Sequence, residues 1–196
     1  MLVFDKVVVD SERLDQTDEE AEKEEKIVLP NGTEVDLHPS SRDAFRVFQD
    51  LCLLANSEPP TFLSLESLPK TFALELIESV LANYHLMFRK VSISLMVPQI
   101  NAGLYFNCKR SELLLVLRHH LSPLLLKTFS DKPIFPLTLR STRVVFLLLK
   151  QFLDLLETEA EVFLMLFTKV ISGDHDSHEA PRPLWMRVLA MEITRG

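Results

Sequence analysis

Apolar side chains along most of the chain recur at three- and four-residue steps, the period of helices that bury one face. Phe45, Phe48, Leu51, Cys52 and Ala55 mark the first helix, expected over residues 41–55, with Ser40 as its N-cap and Asp43 near its third position. Pro59 and Pro60 remove backbone donors and push their predecessors out of the helical region, so a loop follows. The second helix is expected over residues 69–90, with Leu74, Ile77, Val80, Leu81, Tyr84 and Phe88 on its apolar face. A third pattern, 113–129, contains Pro123, which costs an intrahelical bond and predicts a kink. Pro133 and Pro136 precede a fourth helix, 137–156, in which Leu139, Val144, Leu147, Leu148 and Leu155 can all be buried. That helix is apolar nearly all round at its centre, which places it between neighbours. A fifth, 157–171, points Val162, Phe163, Leu166 and Val170 inward, and a sixth covers 184–194. Upstream, Asn31-Gly32 is turn chemistry whose short apolar flanks can pair as a hairpin.

Successive helices of this length, joined by short proline-containing loops, predict an all-α, antiparallel helical-repeat (armadillo/HEAT-like) α-solenoid fragment. No strict repeat is visible, so the expectation rests on element lengths. Residues 1–39 are expected to be an acidic, partly disordered N-terminal segment with a short hairpin, and residues 40–196 the helical domain. The last helix carries Leu184, Trp185, Val188, Leu189 and Ile193 with no polar cap beyond it. The expectation is a piece of a longer solenoid, with the later part of the domain missing.

Composition sharpens this. A hydrophobic content of 47% suffices for a core, and only 4 glycines leave little room for phosphate loops or barrel corners. Residues 1–40 hold 12 acidic and 4 basic side chains, a balance of −8 against −7 for the whole chain, so the rest is near +1. The run "DEEAEKEEK" (residues 18–26) lacks an apolar stripe and reads as a solvated linker, with residues 10–26 mobile. A nearly neutral body offers no broad field for nucleic acid. Cys52 and Cys108 make no disulfide framework, and no export or spanning segment is seen, so a cytosolic setting is expected, with at most peripheral membrane association.

Motifs for catalysis are missing from the sequence: no Walker loop, dinucleotide fingerprint, zincin or nucleophile elbow occurs. No enzyme activity and no cofactor are expected. His175 and His178, beside Asp174 and Asp176, lie in a polar loop with no nearby cysteine and are read as solvated rather than metal-binding. Adjacent His119 and His120 point about 100° apart on a helix, one toward the core and one to water. Arg140 and Arg143, with Lys150 further along the same helix, are the candidate interaction residues for an acidic partner or lipid headgroup. The alternative is salt bridging to Glu157, Glu159 and Glu161 of the next helix.

The run "SSRDAFRVFQDLCLLANSEPPTFLSLESLPKTFALELIESVLANYHLMFRK", with "LLLVLRHHLSPLLLKTFS", "PIFPLTLRSTRVVFLLLKQFLDLLETEAEVFL" and "RPLWMRVLAMEITRG", resembles one family. It is similar to the HUS domain, the homology region upstream of the catalytic domain in the large Sec-seven and BIG-type Golgi proteins, and most similar to the Mon-two branch. "MLVFDKVV" resembles the lead-in to that domain. The resemblance implies a helical-repeat scaffold at the cytosolic face of the Golgi and endosomes, working in vesicle-mediated protein transport. It implies other trafficking proteins as partners, with small Arf-like GTPases or self-association through the N-terminal region. In Sec-seven and BIG-type members the region regulates an adjoining exchange domain for Arf GTPases, which Mon-two proteins lack. The Asn-aromatic-Asp-Cys box of the exchange factors is not found here, so contacts attributed to it are not carried over.

Set against that family, residues 91–109, "VSISLMVPQINAGLYFNCK", interrupt the helical pattern. Removing them lets Arg110-Ser111 serve as a two-residue step into "ELLLVLRHH" and restores the register. Their 19 codons equal a short intron, Val91-Ser92 is what a GTAAGT splice donor spells in frame, and Lys109 can end in an AG acceptor. One reading is therefore an unspliced intron carried into the translated chain. The rival is a real insertion whose strand-like flanks around "PQIN" expose apolar edge surface unless they pack against something. Loop entropy tolerates either.

Overall fold

A computed structural model describes residues 26–37, 39–65, 67–93, 112–173 and 182–195. The acidic run up to residue 25, residues 94–111, and His175 and His178 lie outside the described residues. A two-stranded antiparallel hairpin comes first, β1 (Ile27–Val28) pairing with β2 (Glu34–Val35) in the register Ile27 to Val35 and Val28 to Glu34. The Gly32 N–H donates to Leu29 O at 2.8 Å and the Leu29 N–H to Thr33 O at 2.9 Å. Gly32 has φ +79°, and Asn31 Oδ1 accepts from the Thr33 N–H at 3.1 Å. This is a turn with proline at its second position, closed by a glycine bulge. Ile27 and Leu29 are buried in the common core while Val28 faces out, so the hairpin is packed onto the helices.

Helix α1 (Pro39–Ala55) starts with proline in its first turn, which puts Ser40 inside that turn rather than before it. Phe45, Phe48, Leu51, Cys52 and Ala55 are all buried, as their spacing requires. The helix ends in a Schellman motif: the Glu58 N–H donates to Leu53 O and the Ser57 N–H to Leu54 O, with Ser57 at φ +63°. Helix α2 (Lys70–Ile93) runs past Lys90 into the first residues of the interrupting stretch, and Tyr84 (φ −121°, ψ 22°) breaks its regularity.

The third helical pattern is realised in three pieces: α3 (Glu112–Val116), a π-helical stretch (Leu117–Leu121) and α4 (Ser122–Ser130). Pro123 lacks an N–H and its ring would meet the carbonyl of His119 in a regular helix. The backbone widens upstream instead, and the Ser122 N–H bonds to Leu117 O, five residues back. Helix α5 (Phe135–Phe152) ends four residues before the sequence pattern suggested, because residues 153–156 turn tightly, with the Leu155 and Leu156 N–H groups both donating to Phe152 O at 2.9 Å. Helix α6 (Glu157–Ser172) is closed by Gly173 at φ +71°, and α7 (Leu184–Arg195) packs back on it, Arg187 Nη2 donating to Ile171 O at 2.8 Å.

These helices stack in two layers. One contains α1, the α3–α4 unit and α6; the other contains α2, α5 and α7, with α2 packed on both α1 and α5. Aromatic pairs tie helix to helix at three levels, one pair between the layers and the others along a layer. Phe88 of α2 meets Phe48 of α1 edge-on at 5.3 Å and Phe152 of α5 at 5.6 Å. Phe129 of α4 meets Phe167 of α6 at 5.5 Å, and Phe135 at the start of α5 meets Trp185 of α7 at 5.2 Å. Alternate helices stacking on one another is the arrangement of an all-α helical repeat.

Candidate interaction surface

Arg140 and Arg143 stand one turn apart in the first half of α5, and both face α2. Arg140 Nη2 lies 3.1 Å from Glu75 Oε2 and Arg140 Nη1 lies 3.1 Å from Glu78 Oε2. Arg143 Nη1 reaches Glu78 Oε1 at 4.0 Å. The two arginines thus share Glu78, and the four charges balance. The acids of the next helix are not their partners. A tight turn folds α6 back along α5, so Glu157, Glu159 and Glu161 lie beside the end of α5, away from Arg140. Glu159 instead pairs with Arg118 Nε of the π-helical stretch at 2.8 Å.

Lys150 lies two turns beyond Arg143 on the same face, exposed, with its ammonium 5.6 Å from the centre of the Phe146 ring. Arg143 and Lys150 are the two candidate cations that stand exposed on this side of α5. His119 is exposed, whereas His120 is half-buried with Nε2 3.4 Å from Gln49 Nε2. Burial pushes the His120 imidazole below its usual range, Glu58 works against that, and His119 adds to it. Burial likewise pushes the Cys52 thiol far above its usual range, which leaves it unreactive. Among the described residues no three His, Cys, Asp or Glu side chains converge as a metal set, and no helix is long and apolar enough to cross a membrane.

The larger exposed features are apolar, and of them the sequence points only to the uncapped side of the last helix. Helix α6 buries Ala160, Phe163, Phe167 and Val170, and its opposite side leaves Leu164 and Met165 exposed. Beside these residues a groove of about 640 Å³ runs along α6, from Leu153 and Glu157 at one end to Lys169 and Ser172 at the other. Val162, expected inward, is exposed because the buried face is set one position round from it. On α7, Leu184, Val188 and Met191 form a second exposed stripe. Further exposed apolar residues are Phe62 and Leu65 on the α1–α2 loop and Phe72 in the first turn of α2, and the Arg46 guanidinium lies 5.6 Å from the Phe62 ring centre. The readable signal was an excess of apolar residues: α6 carries Val162, Leu164 and Met165 beyond what one inward face can hold.

Stacked helices with exposed apolar faces, and with ion pairs tying helix to helix, define an all-α helical-repeat domain. The description that matches residues 40–196 is "Mon2/Sec7/BIG1-like, HUS domain", and the chain belongs to that family. It is 33% identical over 175 residues to Protein MON2 homolog of Homo sapiens, covering 80% of this chain and 9% of the human protein. It is 26% identical over 213 residues to Protein MON2 homolog of Drosophila melanogaster, covering 98% of this chain and 11% of the fly protein. It is 28% identical over 180 residues to Protein MON2 of Saccharomyces cerevisiae, covering 88% and 10% respectively. The chain therefore spans about a tenth of the length of these curated relatives. No solved structure matches it.

Proposed function

We propose that the chain is a non-catalytic scaffold and regulatory module in vesicle-mediated protein transport between Golgi and endosomes, acting through protein–protein contacts at the cytosolic face of those membranes. The observation that carries this reading is the family match over residues 40–196, with curated relatives named as MON2 homologs. The exposed apolar faces of α6, α7 and the α1–α2 loop support it, since surfaces of this kind serve contact rather than chemistry. Its partners are other trafficking proteins, with small Arf-like GTPases or self-association through the N-terminal region, and its membrane association is peripheral.

A second reading is favoured by the Sec7 and BIG1 names in the same family description. It makes the chain the regulatory region of an Arf guanine nucleotide exchange factor whose catalytic domain lies outside it. One experiment separates the two. The full gene product is purified and assayed for nucleotide release from Arf GTPases, and cargo return from endosomes to Golgi is followed in cells lacking residues 40–196 of it. Slowed cargo return with no nucleotide release supports the scaffold reading. Slowed cargo return with accelerated release supports the exchange-factor reading, and unchanged transport overturns both.

A further inference from the structure

The residues that line the groove on α6 have the spacing of a helix seat. Glu157, Glu161, Met165 and Lys169 form one row at four-residue steps, and Ala160, Leu164, Thr168 and Ser172 form the adjacent row. The furrow between two such rows is where a second helix lays its own row of side chains. Since the lining runs the whole of α6, about 24 Å, the matching crossing is the shallow one, about 20°. Ala160 is buried at the floor, and Leu164 and Met165 stand exposed at the middle. The polar members need nothing from an occupant. The Thr168 hydroxyl donates to Leu164 O at 2.8 Å and the Ser172 hydroxyl to Lys169 O at 3.2 Å, so a helix that covers them leaves neither donor unpaired.

Charge is uneven along this seat. Glu157 and Glu161 lie one turn apart at the end next to Leu153, both exposed, and among the described residues neither makes an ion pair, while Glu159 between them turns to Arg118. Like charges at this spacing repel. A neutral helix laid over them would take two carboxylates out of water without compensation. An occupant therefore has to bring cations to that end. We infer that the groove on α6 seats one amphipathic helix of a partner protein, with an apolar row against Leu164 and Met165 and Lys or Arg residues over Glu157 and Glu161. The partner helix runs antiparallel to α6, so that its basic C-terminal turn meets those carboxylates and the two helix dipoles oppose. This rests on the protein-contact role proposed above and gives that role a site and a kind of partner.

Peptide binding to the purified 196-residue chain tests the seat. The probe is a fluorescein-labelled peptide of about 18 residues, long enough to cover α6, with a leucine stripe at three- and four-residue steps and lysines clustered in its last turn. A second peptide carries glutamates in place of the lysines. Fluorescence anisotropy is expected to show the lysine peptide bound about ten-fold more tightly than the glutamate peptide. Glu157→Lys, Glu161→Lys is expected to invert that order, which a chain with a damaged fold cannot do. Glu157→Gln, Glu161→Gln, which keeps the shape should the reversal unfold the chain, is expected to abolish the preference. Met165→Asp is expected to weaken the lysine peptide about ten-fold, and Val188→Asp, on the exposed stripe of α7, to leave it unchanged. Equal affinity for the two peptides, no saturable binding, a preference that survives the Glu157 and Glu161 substitutions, or loss of binding through Val188→Asp rather than Met165→Asp overturns the proposal. Self-association that Met165→Asp abolishes, read by analytical ultracentrifugation, also overturns it, because a second copy then fills the groove. Displacement of the peptide by phosphatidylcholine vesicles does the same, because lipid then covers it. The cellular transport assay is independent of these readings: slowed cargo return with no peptide preference overturns this seat alone.

Discussion

Asp50, fully buried on α1, accepts both the backbone N–H and the hydroxyl of Thr61 through Oδ1, at 2.8 and 2.9 Å. Its Oδ2 takes the N–H groups of Phe62 and Leu63 at 2.7 and 2.6 Å. One carboxylate thus holds three successive backbone donors of the α1–α2 loop, at the point where Pro59 and Pro60 forbid helix. The arrangement fixes the loop that presents Phe62 and Leu65. Replacing Asp50 by Ala removes charge-assisted bonds and leaves buried donors unpaired, at a cost of about 2–4 kcal/mol. Asp50→Asn, which keeps the shape but loses one acceptor oxygen, is expected to fall between the two. Urea denaturation midpoints of the three chains check the order, and an Asp50→Ala chain as stable as the parent would contradict it.

Ser57 gives the opposite expectation. It occupies, with φ +63°, the left-handed position that closes α1, where a side chain is strained and glycine is not. Ser57→Gly relieves that strain at some cost in unfolded-state entropy, for a net gain of about 0.5 kcal/mol. Calorimetry is expected to show a rise of about 1–2 °C in Tm, as befits a chain of this size. A fall in Tm would mean that the Ser57 side chain makes a contact worth more than the strain.

The ring sequence Phe48, Phe88, Phe152 joins three helices and both layers. Phe88 is its centre and is 1% exposed, so Phe88→Ala opens a cavity and removes two ring contacts together. A loss of about 3–5 kcal/mol is expected. Phe88→Leu, which refills most of the volume, is expected to cost less than half of that. Guanidinium unfolding of both variants distinguishes this from a surface-like response below about 1 kcal/mol.

Arg140 is the electrostatic counterpart. Its pairs with Glu75 and Glu78 are partly exposed, so their joint contribution is small, about 0.5–1 kcal/mol. Arg140→Met is expected to lose that amount in dilute buffer and to approach the parent in 1 M salt, where screening acts within about 3 Å. A loss that does not respond to salt would show that Arg140 acts through packing of its stem.

How far the chain was legible follows from what each signal measures. Spacing of apolar residues located α1, α2, α5, α6 and α7 within a few positions, because one buried face is the dominant demand on a helix in a stack. It misread details that depend on the neighbour. Ser141 and Thr138 on α5 are fully or almost fully buried, although hydropathy counts them as polar. Val162 was expected inward and is exposed, since Ala160 and Phe167 set the face. Pro123 signalled an irregularity correctly, yet the distortion sits before it, in the π-helical stretch, and Tyr84 disturbs α2 with no proline to announce it. Arg140 and Arg143 were legible as a pair, whereas their partners on α2 were not, because pairing between helices distant in sequence is a property of the stacking order. Asp50 reads as an ordinary acidic residue of α1 until the loop that it holds is seen. The groove on α6 left only its trace in the surplus of apolar residues.

The most direct test of the functional reading is the location of the full gene product in living cells, tagged at its own locus and imaged beside Golgi and endosomal membrane markers. The expected result is a peripheral, salt-extractable population on those membranes that disperses when residues 40–196 are removed. A tagged product spread evenly through the cytosol or held in the nucleus, unchanged by that removal, would contradict it.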